Sequence, residues 1–324
     1  MPSSYREGMN TNSKLTVVGA GAVGSSVAYA CMIRGSARHI ALYDIAAEKT
    51  EAEVLDLAHG SQFTGGTDIV GSSDVEVARD SDIVVITAGA KQKPGQSRRE
   101  LADTNARITR TLMEQLLSVA PEAVYVIVTN PCDPMAMVAQ DFSGLPANQV
   151  FSSGTTLDTS RLRWLLADRA EVSRTSVHAH IVGEHGDSEF ALWSTASIGT
   201  VPILEWTRDG QKVFTRESLD ALTDEVRGAA YKVIQGKGAT NYAIGLSSAR
   251  IVEAVLGAQN AVLNVAPVLS DFQGIDGVAL SVPCIVGEDG AFPIRETPFS
   301  DDELTKLRDS AETLREVVDG LSAG

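Results

Sequence analysis

Several polar residues with catalytic potential stand in short segments marked by glycine or proline. Gly183-Glu184-His185-Gly186-Asp187 follows a strand-like run and sets an imidazole between glycines, exposed rather than packed. An imidazole titrates near neutrality, so it suits proton transfer. Asp158 and Arg161 are three apart at the start of a helical stretch, a spacing that lets both face one way. Gln92-Lys93-Pro94-Gly95-Gln96-Ser97-Arg98 is a polar loop, Asn130-Pro131 follows an apolar run, and Thr240 follows Gly236-Lys237-Gly238-Ala239. Singly, each has a plain structural explanation. An isolated histidine is usually a satisfied polar residue, and an exposed Asp158–Arg161 pair would contribute only about 0–1 kcal/mol. A loop carrying Arg98 and Arg99 is ordinarily a solvated face.

A nucleotide site changes those odds. Gly19-Ala20-Gly21-Ala22-Val23-Gly24 lies between a strand-like run and a helical stretch. In such a turn Gly19 permits the tight bend, Gly21 lets the backbone approach a pyrophosphate, and Gly24 lets helix and strand pack closely. Asp44 ends the next strand twenty residues beyond Gly24. A carboxylate there accepts hydrogen bonds from both ribose hydroxyls and repels a 2′-phosphate, which favours NAD over NADP.

The elements that must position these groups alternate in the first half. Strands are expected at Leu15–Val18, His39–Tyr43, Asp68–Val70, Ile83–Thr87, Val124–Thr129 and Val150–Ser152. Helices are expected at Val23–Arg34, Ala47–His59, Leu101–Val119 and Pro134–Phe142, with a short turn at Val75–Arg79. Apolar strands separated by amphipathic helices imply parallel βαβ units and an α/β fold. The expected architecture is a doubly wound parallel-sheet Rossmann domain over 14–153 and a smaller α+β substrate domain over 154–324, after an N-terminal arm at 1–13. The second half carries helices at Ser160–Ala170, Ser218–Gln235 and Tyr242–Leu256, the last expected to pack with the first domain. Its strand-like runs are His178–Val182, Ala191–Ser197, Lys212–Phe214, Asn264–Leu269, Val278–Val286 and Phe292–Ile294. Ser300 and Glu303 form a capping box for the C-terminal helix, with Asp301 and Asp302 in its first turn.

The 324 residues suffice for two associated domains, and 44% apolar with 21% charged residues is ordinary globular composition. A net charge of −15 disfavours nucleic acid and anionic membrane as partners. No apolar run approaches the roughly 20 residues of a membrane span, and Met1–Asn12 lacks the apolar core of a secretory signal. A cytoplasmic protein is therefore expected. Cys31, Cys132 and Cys284 are odd in number and lie in apolar surroundings, which favours buried free thiols over a disulfide or metal site.

In ordered combination, these motifs resemble the lactate and malate dehydrogenase family from about Lys14 to the C-terminal helix. The most specific segments are Gln92–Arg98, Thr129-Asn130-Pro131, Gly154–Arg161 and Gly183–Asp187. The resemblance implies NAD-dependent interconversion of a 2-keto and a 2-hydroxy acid. His185 would exchange the proton, Asp158 would orient the imidazole, and Arg161 would bind the substrate carboxylate through a two-pronged pair. Arg98 would arrive with a closing loop and polarise the keto group, and Asn130 would hydrogen-bond near it. Ser153 and Ile244 would hold the nicotinamide, with Val23, Thr87 and Gly89 also in the cofactor site.

Gln92 occupies the position where malate enzymes of the family carry arginine for the second carboxylate of oxaloacetate. A neutral residue there leaves that charge unpaired in a closed site, so pyruvate and L-lactate are the expected pair, with the substrate methyl meeting Gln92 and Thr240. Arg163 and His178 match positions that form a fructose 1,6-bisphosphate site between subunits in allosteric bacterial members, implying a homotetramer. Malate dehydrogenase on oxaloacetate is the nearest alternative. A family-related NAD-using glycosidase would need a Cys/His metal cluster, and a non-catalytic NAD-sensing module would not need the His/Asp/Arg set.

Overall fold

The computed structural model describes residues 12–90 and 97–321, so most of the N-terminal arm and Gln92 lie outside the described residues. Strands β1 (Lys14–Val18), β2 (His39–Tyr43), β3 (Asp68–Ser72), β4 (Ile83–Ile86), β5 (Val124–Ile127) and β6 (Val150–Ser152) pair in parallel in the order β3-β2-β1-β4-β5-β6. Their apolar runs reflect burial on both faces. Leu15, Val17, Ile83 and Val85 enter one core cluster, while the alternate residues Val18, Val84 and Ile86 enter another.

Helices α1 (Ala22–Arg34), α2 (Ala47–His59), α3 (Arg98–Leu117) and α4 (Cys132–Ser143) accompany these strands. Strand β1 has β2 on one side and β4 on the other, so the order reverses there and a crevice opens at the carboxyl ends. The Gly19–Gly24 turn, Asp44, Thr87, Asn130 and Ser153 all follow strands of this sheet and share that edge. Helix α3 begins three residues before the expected Leu101. Ser97 caps it reciprocally with Glu100: the Glu100 N–H donates to Ser97 Oγ at 3.2 Å, and the Ser97 N–H to Glu100 Oε2 at 2.8 Å.

The second half opens with α5 (Thr156–Ala170), which starts before the expected Ser160 and so contains both Asp158 and Arg161. The expected strand at 178–182 is two short ones with different partners. Strand β7 (Val177–His178) pairs with β10 (Ser197–Ile198), and β8 (Ile181–Val182) pairs with β9 (Phe190–Ala191). Residues 192–196 turn instead of extending, and the Ser194 N–H is tied to Glu303 Oε1 at 2.9 Å. Leu192 joins the first core cluster, while Ala196 and Trp193 pack into a third, so hydrophobicity there records burial rather than a strand. Strands β11 (Val201–Pro202), β12 (Thr207–Arg208) and β13 (Gln211–Lys212) are short hairpin pieces before α6 (Arg216–Lys237) and α7 (Tyr242–Leu256).

Strands β14 (Ala261–Pro267), β15 (Val282–Gly287) and β16 (Gly290–Pro293) are antiparallel. Ala266 and Pro267 of β14 pair with Ser152 and Phe151 of β6, which extends the sheet to nine strands. Helix α7 lies against α1, where Gly245 leaves no room for a Cβ beside Ser26. Helix α8 (Asp301–Leu321) begins with the expected Ser300–Glu303 box. Cys31, Cys132 and Cys284 are buried and free. Among the described residues, no helix is long and apolar enough to cross a membrane.

Candidate active site

The glycine turn is built to receive a dinucleotide. Gly19 has φ +105°, and a Cβ there would stand 2.8 Å from Ala88 N. A Cβ on Gly24 would come within 1.8 Å of the Gly19 carbonyl oxygen, so α1 packs on the turn only because that position is glycine. Gly21, the N-cap of α1, has nothing within 4 Å of its Cβ position and faces open space at a helix N-terminus. Asp44 Oδ2 accepts the Ala20 N–H at 2.7 Å, and Oδ1 accepts the Ala46 N–H at 3.0 Å. The carboxylate thus braces the turn from the end of β2. Thr87 Oγ1 donates to the Val18 carbonyl at 3.0 Å, joining the ends of β1 and β4. These features fit NAD.

The catalytic candidates come together from sequence positions far apart. His185 Nδ1 lies 2.7 Å from Asp158 Oδ2, and Arg161 Nη1 donates to Asp158 Oδ1 at 2.5 Å. Asp158 is 2% exposed, against 28% for the His185 side chain and 18% for Arg161. The pair is therefore not a solvated surface bridge; Asp158 is shared between imidazole and guanidinium inside the protein. Burial works against the Asp158 charge, yet His185 and Arg161 outweigh it and hold the carboxyl below its usual range. Burial likewise opposes a charged imidazole, but Asp158, with Asp133 and Glu189, lifts His185 to about 9. The ring is thus a protonated donor at neutral pH.

Three residues of the site were not singled out from sequence. Asn105 on α3 accepts the Ala90 N–H at 2.7 Å and donates to the Asn130 carbonyl at 2.7 Å, fixing both the stem of the 91–96 segment and the turn after β5. Asp133, 1% exposed on α4, accepts the His185 backbone N–H at 2.7 Å. Glu189, 2% exposed, places a ligand-capable atom within 4.8 Å of those of Asp158 and His185. Burial first, and the Asp158 charge second, push its carboxyl up to about 8. An Asn inside a helix and a carboxylate after a proline look like solvated residues in sequence. Only long-range packing reveals what they hold.

Other expected positions are less central. Ser153 is buried, and its N–H donates to the Ile127 carbonyl at 2.9 Å. Val23 and Ile244 pack against the core beside the sheet, Gly89 lies against Thr129, and Thr240 is half-buried before α7. Arg98 opens α3, and only its backbone is described. Arg163 Nε donates to the Ala179 carbonyl at 2.9 Å, next to exposed His178. Burial, joined by the charges of Arg163 and His178, pushes nearby His180 down to about 4.

Residues 13–152 match the sequence model of the lactate/malate dehydrogenase NAD binding domain, and 155–323 that of the lactate/malate dehydrogenase alpha/beta C-terminal domain. The chain is 52% identical over 306 residues to an L-lactate dehydrogenase of Bifidobacterium animalis subsp. lactis, covering 94% of this chain and 96% of that relative. It is 43% identical over 315 residues to one of Kosmotoga olearia, covering 95% and 96% respectively. Its fold matches the crystal structure of a lactate dehydrogenase from a Medee basin deep-sea metagenome library with TM-score 0.92 and 37% identity, covering 96% of this chain and 99% of that one. The ligand-bound minor L-lactate dehydrogenase of Enterococcus mundtii matches with TM-score 0.91 and 38% identity, covering 96% and 98%.

Proposed function

Within the lactate/malate dehydrogenase family, to which this chain belongs, we infer that it acts as an NAD-dependent L-lactate dehydrogenase, reducing pyruvate to L-lactate and running the reverse reaction. The observation that carries the reading is the buried Asp158 shared between His185 and Arg161 at the carboxyl edge of a dinucleotide-binding sheet.

Bound NADH supplies the hydride to the keto carbon. His185, held protonated by Asp158, gives its proton to the keto oxygen as negative charge develops there, and takes it back in the reverse direction. Arg161 pairs with the substrate carboxylate while one nitrogen stays anchored on Asp158, so the anchor and the proton donor share one reference point. Arg98 and Asn130 polarise the keto group, and Gln92 and Thr240 face the methyl. Asn105 supports this assignment, since from α3, the helix that Arg98 opens, it links Ala90 to the Asn130 turn. The turn residues Gly19, Gly21, Val23 and Gly24, with Asp44, Thr87, Gly89, Ser153 and Ile244, hold the cofactor. We place the division between the cofactor and substrate halves at 153–154, with α7 serving the cofactor half.

Arg163 and His178 form the effector site, taking a sugar bisphosphate across a homotetramer interface; their adjacency to each other and to His180 supports this. The acidic composition supports a cytoplasmic location, and a fermentative role is proposed on the pyruvate reaction alone.

The test is NADH oxidation with pyruvate, oxaloacetate and a branched 2-keto acid, each with and without fructose 1,6-bisphosphate. Pyruvate is expected to lead, with the bisphosphate lowering its half-saturation. Gln92→Arg is expected to shift the preference toward oxaloacetate. His185→Ala should bind NADH and lose turnover. Retained turnover rejects the mechanism, and an unchanged pyruvate curve rejects the effector site.

A further inference from the structure

The His185 ring is oriented by Asp158, but its backbone is held by a different carboxylate. Asp133 is the second residue of α4, three beyond Asn130, and almost wholly buried. Its Oδ2 accepts the His185 N–H at 2.7 Å. Its Oδ1 accepts the Ser152 hydroxyl and the Cys132 thiol, the latter at 3.5 Å. Ser152 Oγ in turn accepts the Gly154 N–H at 3.0 Å, beside Ser153. One buried carboxylate therefore joins three segments of the site: the turn after β5, the end of β6 and the His185 loop.

A carboxylate suits this place and its amide isostere does not. Both oxygens of Asp133 meet donors from different elements, so a carboxamide would aim an N–H₂ at one of them. The stem of the loop is fixed separately, since Gly183 and Ser281 exchange backbone hydrogen bonds at 2.9 and 3.1 Å. Beyond that stem, Asp133 sets where the imidazole begins.

We propose that Asp133 is a positioning residue for the proton-transfer step, tying the His185 backbone to the ends of β5 and β6 so that imidazole, Asn130 and Ser153 keep one geometry. The proposal rests on His185 being the proton-transfer residue. An imidazole displaced by about 1 Å loses rate on the order of a hundredfold while leaving cofactor binding intact. Asp133 also carries charge toward the ring. The groups facing His185 are Asp158 from α5, Asp133 from α4, and Glu184 and Glu189 from its own loop, with Arg161 beyond Asp158.

The experiment compares Asp133→Asn, Ser152→Ala and His185→Ala in the full chain, with turnover expressed per NADH-binding site so that misfolded protein does not count. Asp133→Asn is expected to keep NADH affinity within about twofold. Its kcat for pyruvate should drop about tenfold to a hundredfold with little change in KM, and the alkaline limb of the pH–rate profile should move down. Ser152→Ala removes the lateral anchor of Asp133 and the acceptor of the Gly154 N–H but leaves the Asp133 bond to the His185 N–H, so a smaller loss of about threefold to tenfold is expected, with the limb moved the same way. Parent kcat per site and an unmoved limb in Asp133→Asn overturn the proposal. If that variant does not fold, the same unchanged values in Ser152→Ala overturn it. Retained turnover in His185→Ala instead overturns the reading of His185 itself.

Discussion

Asp158 divides its two oxygens between the imidazole of His185, at 2.7 Å, and the guanidinium of Arg161, at 2.5 Å. Proton donor and substrate anchor are thus fixed relative to each other through one buried carboxylate. The electrostatic consequence is directional. With His185 lifted to about 9, the imidazolium form dominates at neutral pH, which suits pyruvate reduction.

The kcat/KM for pyruvate reduction should accordingly stay level through neutrality and fall as pH rises through about 9, while lactate oxidation rises through the same region. A raised imidazole pKa also contributes stability that is complete below its unfolded value of 6.5 and lost as pH rises through about 9. Asp158→Asn removes the main opposition to burial, so its reduction limb should move down below the parent's and kcat should fall about 10²–10⁴-fold. Steady-state profiles of parent and variant check both; coincident limbs would contradict the role of Asp158.

Glu189 has linkage of the same sign, but its cause is burial of a carboxyl rather than an attractive partner. Its folded pKa of about 8 lies above the ordinary 4.5, so the native state binds the extra proton and loses stability as pH rises between those values. Glu189→Gln removes that loss. Thermal unfolding from pH 5 to 9 should show the variant gaining Tm relative to the parent as pH rises. A difference independent of pH would mean that Glu189 is ionised throughout.

Two glycines of one turn should behave differently. Gly24→Ala drives a methyl to 1.8 Å from the Gly19 carbonyl and should destabilise the fold by about 1–3 kcal/mol, seen as a lower Tm. Gly21→Ala meets nothing within 4 Å, so it should fold normally yet weaken NADH binding by about tenfold, measured by quenching or calorimetry.

The join between α1 and α7 rests partly on a two-pronged ion pair. Arg34 Nε and Nη2 donate to Glu253 Oε1 and Oε2 at 2.6 and 2.7 Å, and Ser36 adds a bond at 3.1 Å. Arg34 is 41% exposed, which limits the pair to about 1 kcal/mol. Glu253→Gln should therefore lower Tm by a few degrees and leave kcat unchanged. A double-mutant cycle with Arg34→Ala isolates the coupling energy.

The amino-acid sequence alone determined the sheet and its cofactor edge. Buried parallel strands must be apolar on both faces, and a phosphate turn must be glycine where backbone approaches backbone. Both constraints are local, so β1–β6, the Gly19–Gly24 turn and Asp44 are legible in the order of residues. His185, Asp158 and Arg161 were readable as types in a familiar arrangement, but not as an interaction, because the histidine lies 27 residues from the carboxylate it meets. Tertiary structure decided the rest. It split the apolar run at 178–182 between two partners, carried β14–β16 onto the edge of the first sheet, and gave Asn105, Asp133 and Glu189 their places. Polar side chains like these look solvated in sequence. Their burial, and with it the energetic demand that each hydrogen bond be made, arises only when distant segments close over them.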